Sequence, residues 1–177
     1  MLGTLITSKT RIKLLLKFFL NSNNTAYLRS LEPEFGESTN AIRQELNRFE
    51  EAGLLVSASE GNKKIYKANT NHPLFPEING LLMKHIGLDK IIEKVAHKLG
   101  KLDTVYLVGE LAKGQNSKVI DLWFVGDKID KKYLLDLIEK AEQVINRKIR
   151  YIILDNKELN DFLSVNSKNE LLLLWKS

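Results

Sequence analysis

The spacing of apolar residues near the start of the chain is that of an amphipathic helix. Residues 8–20 repeat apolar side chains at the i, i+3, i+4, i+7 and i+8 positions, with polar side chains between them. The positions that carry this repeat are Ile12, Leu15, Leu16, Phe19 and Leu20. Ser8 is the expected N-cap, because its hydroxyl can accept a hydrogen bond from an unpaired backbone N–H of the first turn. The pattern therefore predicts one helix with one buried face.

A short helix is predicted next, over about residues 25–32. Pro33 and Gly36 follow it and interrupt regular backbone hydrogen bonding, so the helix is expected to end before them.

A third helix is predicted to begin at Ser38 or Thr39 and to end at Gly53. Glycine suits the left-handed conformation that commonly follows a helix. The apolar positions of this segment lie on one face, which is expected to be buried. They are Ile42, Leu46 and Phe49.

The hydrophobic period changes from 3.6 to 2 after Gly53. Residues 55–59 and 65–68 alternate in the manner of strands, and residues 60–64 join them. Gly61 and Asn62 suit the positive φ of a tight turn, so a β-hairpin is predicted here.

The second half of the chain alternates predicted helices and strands. Pro73 and Pro76 mark a connector, and the apolar run at residues 171–175 is most simply a terminal helix that docks on the core, although an oligomer interface is the other possibility. The predicted helices are a linking helix at about 76–86, then 88–99 and 131–145, with one or two more after 156. The predicted strands are 103–108, 119–125 and 148–154.

Two runs in the first half resemble a known family. They are Leu46-x-x-Phe49-Glu50-x-Ala52-Gly53-Leu54 and Gly61-Asn62-Lys63-Lys64-Ile65-Tyr66. Together with three helices ahead of a hairpin, they resemble the winged helix-turn-helix of the ArsR/MarR-like bacterial regulators over residues 8–72. The resemblance implies a domain that reads duplex DNA with the helix at 38–52 and with a wing at 60–65.

The resemblance also implies which side chains would contact DNA. The outer face of the helix carries polar groups that can pair with base edges, and the hairpin tip carries two lysines that can reach phosphates. These residues are Ser38, Thr39, Asn40, Arg43, Gln44, Asn47, Lys63 and Lys64. A polar helix face is also what any solvated helix shows, and winged helices serve as protein-interaction modules as well. Such regulators read paired half-sites, so a homodimer is expected, with Leu2, Leu5 and Ile6 as candidate contacts, although these side chains could equally cap the core of their own domain.

Two runs in the second half resemble the small nucleotidyltransferases of the DNA polymerase beta superfamily. They are Val108-Gly109-Glu110-Leu111-Ala112-Lys113-Gly114 and Ile120-Asp121-Leu122-Trp123-Phe124-Val125-Gly126. In that superfamily a strand ends in Gly-Ser, and Asp-x-Asp lies on the next strand. Here Glu110 stands in place of the serine and Val119 in place of the first aspartate.

The departures from that signature predict a site that has lost its chemistry. Phosphoryl transfer in these enzymes depends on carboxylates that hold divalent metals, and Asp121 alone is kept. The resemblance therefore implies a relic nucleotide or metal site at Gly109, Glu110, Lys113 and Asp121, and no enzyme activity. Asp155 is a further acid whose position the sequence does not give. Lys113 and Lys118 are candidates for binding an anionic ligand, and the alternative is that both are ordinary lysines of a loop.

The amino-acid composition mainly excludes kinds of site and partner. The chain has no cysteine, and its three histidines are not at metal-ligand spacing, so no metal or cofactor is predicted. Lysines and an arginine interrupt the apolar runs at the N-terminus, and no run reaches the ~20 apolar residues of a membrane span. A cytoplasmic protein without a membrane partner is expected. The net charge of +5 permits a nucleic-acid partner.

Taken together, the patterns predict an α+β chain. It consists of an N-terminal winged helix-turn-helix at 1–72, a linker helix at 73–87, and a small α/β nucleotidyltransferase-like domain with a mixed sheet at 88–177. The predicted function is a DNA-binding transcriptional regulator of duplex DNA, with a possible small-molecule or nucleotide effector. The alternatives are a nucleotidyltransferase that acts on a small molecule or protein, and an interaction module paired with a neighbouring protein.

Overall fold

Helices α1 (Leu2–Leu5) and α2 (Lys9–Leu15) begin the chain of this computed structural model, which describes residues 2–95, 99, 101–165 and 171–177. The Ser8 hydroxyl accepts a hydrogen bond from the backbone N–H of Arg11 at 3.2 Å, so Ser8 is the N-cap that the sequence predicts. A π-helical segment (Leu16–Leu20) continues α2. Its side chains Phe18 and Phe19 are fully buried, which makes this segment the centre of the first core.

The segment after it differs from the prediction of a single helix over residues 25–32. Strand β1 (Thr25–Tyr27) comes first and α3 (Leu28–Phe35) follows, with Pro33 inside the helix rather than after it. Strand β1 forms because Thr25, Ala26 and Tyr27 pair with a strand about forty residues later in the chain. That partner is remote in sequence, so local periodicity gives no sign of it.

The third predicted helix is confirmed as α4 (Thr39–Glu51). The Ser38 hydroxyl accepts from the N–H of Ala41 at 3.2 Å, and Gly53 has a φ of +71° just past the end of the helix. Strands β2 (Leu55–Glu60) and β3 (Lys63–Ala68) then form the predicted hairpin. With β1 they make an antiparallel sheet in the order β1-β3-β2.

The chain divides into two compact units. The first unit comprises Met1–His85 with Gly114–Asn116, and it ends in α5 (Phe75–Ile86). The second unit comprises Ile86–Lys113 and Ser117–Ser177. Each unit has its own buried side chains, which include Leu31, Ile42 and Leu46 in the first.

The second unit is built on a four-stranded sheet. Its helices are α6 (Leu88–Val95), α7 (Gly109–Ala112), α8 (Lys131–Ile145) and α9 (Asn156–Val165). Its strands are β4 (Lys101–Val108), β5 (Val119–Asp127), β6 (Lys148–Leu154) and β7 (Leu172–Lys176). The strand order is β6-β5-β4-β7, and β5 pairs with β6 in parallel while the other pairs are antiparallel. The predicted α+β architecture with a mixed sheet is therefore confirmed.

The last strand corrects a second prediction. Residues 172–176 form β7 along the edge of β4, not a terminal helix. A run of leucines has no period that separates a strand from a buried helix, so pairing with β4 decides the conformation. Residues 96–98 of the helix predicted at 88–99, which include His97, lie outside the described residues.

Alternation along β5 separates two faces of the sheet. Ile120, Leu122 and Phe124 point to the buried face. Asp121 and Trp123 point to the other face, where the Trp123 ring meets Phe162 of α9 edge to face at 4.5 Å between ring centroids. Within the described residues, no helix has the length and apolar character needed to cross a bilayer.

Candidate functional site

The predicted contact residues of α4 lie on its outer face, and the structure assigns local roles to two of them. Ser38 caps the helix, and the Thr39 hydroxyl donates to Glu32 at 2.7 Å. Both hydroxyls are therefore engaged in structural hydrogen bonds. The remaining predicted contacts on the helix are exposed: Asn40, Arg43, Gln44 and Asn47.

The two lysines of the hairpin are held by the first unit itself. Lys64 Nζ lies 2.7 Å from Glu50 Oε2, and Lys63 Nζ lies 4.5 Å from the centroid of the Tyr27 ring. The hydrogen bond to Glu50 raises the pKa of Lys64, and the same bond lowers the pKa of Glu50. Because Glu50 balances Lys64, the β2–β3 hairpin and its surroundings carry less net positive charge than the sequence of the hairpin indicates.

The second unit brings Gly109 and Asp121 together in one groove. We call the groove lined by Val108, Gly109, Asp121, Leu122, Trp123, Arg150, Tyr151 and Ile152 the Gly109 groove; its volume is about 400 Å³. Asp121 lies opposite Val108 in the pairing of β5 with β4, which sets its carboxylate beside the turn into α7.

Gly109 is required at that turn by its conformation and by its neighbour. Its φ is +70°, and a Cβ added there would lie 2.7 Å from Asp121 Oδ2. A side chain would therefore strain the backbone and push the carboxylate away. This glycine lets the chain pass closely over Asp121 at the end of β4.

Arg150 is the main member of the groove that the sequence does not identify. It lies beside Asp121 in the parallel pairing of β6 with β5. Its Nε and Nη2 atoms donate to the two carboxylate oxygens of Asp121 at 2.6 and 3.0 Å. The hydrogen bonds to Asp121 raise the pKa of Arg150, and the charges of Asp121 and then Glu110 add to this effect.

The exposure of these two side chains differs. The Arg150 side chain is 72% exposed, whereas that of Asp121 is 18% exposed. The guanidinium therefore reaches solvent while the carboxylate stays against the sheet. No sequence signal gives the register of β6 against β5, although an arginine in the middle of a largely apolar strand is an indication of a specific partner.

The other acids and the lysine of the predicted site take separate positions. Glu110 is exposed in the first turn of α7, near enough for its charge to act on Arg150. Asp155 caps α9 in a reciprocal pair of 2.8 Å hydrogen bonds with Glu158, so it is not part of the groove. Lys113 lies at the end of α7 and does not line the groove.

Asp121 supplies the one carboxylate in the lining of the Gly109 groove, which is fewer than a metal centre made of protein ligands alone requires. Among the described residues no group of three His, Cys, Asp or Glu side chains is placed to hold one ion. Mg²⁺ in phosphate-binding sites is, however, commonly held by one or two carboxylates together with phosphate oxygens of the substrate. Asp121 therefore fits a divalent cation only where phosphate oxygens of a substrate supply the other ligands.

Comparison with known proteins returns solved structures alone. No protein-family model matches the chain, and no curated protein matches it. A candidate nucleotidyltransferase from Sulfolobus solfataricus shares 24% identity over 56% of this chain and 86% of that chain, with a TM-score of 0.38. A toxin–antitoxin protein solved with AMP-PNP shares 21% identity over 50% of this chain and 73% of that chain, with a TM-score of 0.39. A mutant of the MntA–HpeT toxin–antitoxin shares 20% identity over 51% of this chain and 72% of that chain, with a TM-score of 0.40.

One of these neighbours is described as a nucleotidyltransferase and the others as toxin–antitoxin proteins, and those reported include no winged-helix regulator. On this finding the prediction of a DNA-binding transcriptional regulator is wrong. The pairing of Lys64 with Glu50 is a physical reason why counting basic residues on the wing misleads.

The prediction that the chain is not an enzyme is also wrong on the same finding. The loss of carboxylates does not by itself exclude metal binding, because substrate phosphates can supply oxygen ligands that the protein lacks. The predicted homodimer and the predicted effector stay predictions.

Proposed function

We propose that the second unit binds a nucleoside triphosphate in the Gly109 groove and transfers its nucleotidyl group to an acceptor hydroxyl. The observation that carries this proposal is the meeting of Gly109, Asp121 and Arg150 in one open groove. The glycine allows a ligand to approach the backbone, the carboxylate can share a cation with phosphates, and the guanidinium can bind phosphate oxygens.

Arg150 would exchange partners when the nucleotide binds. A guanidinium donates two parallel hydrogen bonds equally well to a phosphate and to a carboxylate. The large exposure of Arg150 allows it to turn from Asp121 to the triphosphate, and this exchange leaves the Asp121 oxygens available. The ion pair is then a resting state of the groove.

The transfer step has a simple balance. The oxygen of the acceptor hydroxyl attacks the α-phosphorus and its proton passes to water. The bond between the α-phosphorus and the bridging oxygen breaks, and pyrophosphate leaves with that electron pair. A divalent cation held by Asp121 and the phosphates would supply neutralisation of the negative charge in this step. Arg150 would hold the phosphates in position, and positioning together with electrostatic stabilisation accounts for most of the catalysis in such reactions.

We further propose that the first unit is a winged helix-turn-helix fold. Its support is the order helix, strand, two helices and hairpin, with β1 completing the sheet β1-β3-β2.

The proposed function is tested by incubating the full chain with α-labelled nucleoside triphosphates and Mg²⁺ or Mn²⁺. Release of pyrophosphate and transfer of label are expected, together with nucleotide binding by calorimetry. Asp121→Asn should abolish transfer, and Arg150→Gln should weaken nucleotide binding at least tenfold. Lys148→Gln is the matched control, because Lys148 is a cation of the same strand outside the groove. Neither binding nor transfer with any of the common nucleotides would overturn the proposal.

A further inference from the structure

Apolar side chains of the first unit line an open cavity of about 380 Å³. Helices α1, α2, α4 and α5 contribute to its lining, which includes Leu2, Leu15, Phe49, Ile78 and Leu81. This volume falls within the range of about 300–1,000 Å³ that is usual for small-molecule sites. Such sites are mostly apolar, with a few polar groups that orient the ligand.

The polar groups of this cavity are two guanidiniums, Arg11 and Arg48. Arg11 donates from Nε and Nη2 to the two oxygens of Glu45, at 3.0 and 3.2 Å. Arg48 donates from Nη1 to Glu45 Oε1 at a longer 3.3 Å. The Glu45 side chain is 9% exposed, and its Oε1 also accepts from the Ser8 hydroxyl at 3.1 Å.

The charges of this cluster do not balance. Two guanidiniums share the single carboxylate of Glu45, so one positive charge remains beside an apolar cavity. Arg48 makes the weaker contact and has 61% of its side chain exposed, compared with 38% for Arg11. Arg48 is therefore the group that an incoming anion would meet.

We infer that this cavity binds an amphipathic organic anion, a carboxylate with a hydrocarbon tail. The tail lies among the apolar side chains of α2, α4 and α5, and the carboxylate pairs with Arg48 at the rim. A neutral hydrocarbon would leave the surplus positive charge uncompensated, and a small inorganic anion would leave the apolar part of the cavity unfilled. The ligand must combine both properties.

A second copy of the chain fits the cavity less well. A two-fold interface whose axis passes through this cavity places the same patch on both sides, so each copy would set its surplus positive charge close to that of the other. Like charges in an interface are unfavourable, whereas a carboxylate removes the imbalance. The amphipathic carboxylate is therefore the favoured occupant.

Calorimetric titration of the full chain with decanoate, octanoate and decanol tests the inference, with the two carboxylates below their micelle concentrations and decanol below its solubility limit. Each buried methylene should tighten binding about fourfold, so decanoate should bind about fifteenfold more tightly than octanoate. Decanol has the same tail and no charge, and it should bind about tenfold more weakly than decanoate. Equal affinities for decanoate and octanoate, or no binding, would overturn the inference.

Two pairs of variants locate the site. Ala52→Phe places a ring in the lining and should abolish decanoate binding, while Ala58→Phe, at an exposed position of β2, should leave it unchanged. Arg48→Gln should weaken decanoate about tenfold but barely affect decanol. Arg43→Gln is its control on the same helix, outside this cavity.

Analytical ultracentrifugation of the same variants tests the alternative that a second copy of the chain covers the cavity. If Ala52→Phe dissociates a dimer and decanoate does not bind, the cavity is an interface between copies and the inference fails. Decanoate binding that is lost only in Ala52→Phe and weakened only in Arg48→Gln supports it.

Discussion

At the scale of single residues, each unit holds one carboxylate between arginine N–H groups, and burial separates their roles. Glu45 is enclosed and takes hydrogen bonds from Ser8, Arg11 and Arg48. Asp121 takes both of its hydrogen bonds from the exposed Arg150. An enclosed carboxylate is costly to leave unpaired, so Glu45 contributes to stability, whereas Asp121 can exchange its partner at low cost.

The first prediction concerns the pH dependence that Glu45 imposes. Burial acts to raise the pKa of Glu45, but its hydrogen bonds with Arg11 and Ser8 and the charges of Arg11 and Arg48 outweigh burial and lower it below 4.5. The unfolded chain therefore binds this proton more readily than the folded one. The stabilisation is present above pH 4.5 and is lost as the pH falls through the lower folded pKa.

Urea unfolding between pH 7 and pH 3 measures this effect. Glu45→Gln should lower the free energy of unfolding at pH 7 by about 1.5–3 kcal/mol, because charge-assisted hydrogen bonds are lost. It should also reduce the loss of stability between pH 5 and pH 3. Glu51→Gln, at an exposed position of the same helix, is the control and should change neither quantity by more than about 0.5 kcal/mol. An unchanged acid loss in Glu45→Gln would contradict the assignment.

At the scale of elements, local capping groups place the helix ends and long-range pairing places the strands. Ser8, Ser38 and Asp130 each accept a hydrogen bond from a backbone N–H three residues on. These signals are readable in the sequence because both partners lie within one turn. Strands β1 and β7 have no such local signal, and both were predicted as helices.

The second prediction tests one cap. Asp130 Oδ1 accepts from the N–H of Tyr133 at 3.0 Å at the start of α8. Asp130→Ala should lower the free energy of unfolding by about 1 kcal/mol, and Asp130→Asn should retain most of the stability because an amide oxygen also accepts this bond. Thermal and urea unfolding of the two variants measure the difference. Equal losses in both would show that the cap does not contribute.

The close approach of strands β4 and β5 depends on a glycine. A Cβ at Gly126 would collide with the backbone carbonyl of Lys101, next to the irregular pairing between Leu102 and Thr104. The glycine permits this approach, and a side chain there would force the two central strands of the sheet apart.

At the scale of the whole molecule, the chain has two units with separate buried cores. Phe18 and Phe19 lie at the centre of the first, and Phe124 lies at the centre of the second. Each unit has the elements needed for its own cooperative unfolding, so single two-state behaviour is not expected for the chain.

The third prediction follows from this division. Scanning calorimetry of the full chain should show an enthalpy larger than the van't Hoff value, with two resolvable transitions. Glu45→Gln should lower the midpoint of one transition, and Asp130→Ala should lower that of the other. A single transition that both variants shift equally would contradict the prediction.

For the candidate sites, sequence patterns identified residues whose side chains have suitable chemistry. They did not identify which other residues lie beside them in the folded chain. Gly109 and Asp121 are recognisable because their motif is local. Arg150 was missed because it joins Asp121 only through the register of two parallel strands. Likewise the lysines of the wing are obvious in the sequence, while the Glu50 partner of Lys64 lies on another element.

The sequence by itself determined the features that depend on residues close together in the chain. They include the amphipathic helices, their caps, the β2–β3 hairpin and the Gly109 turn, because hydrogen bonds and hydrophobic periods act over one or two turns of chain. Tertiary structure alone decided the conformation of β1 and β7, the Asp121–Arg150 pair and the charged rim of the apolar cavity. Each of these depends on partners that are distant in sequence, and only the folded chain brings them together.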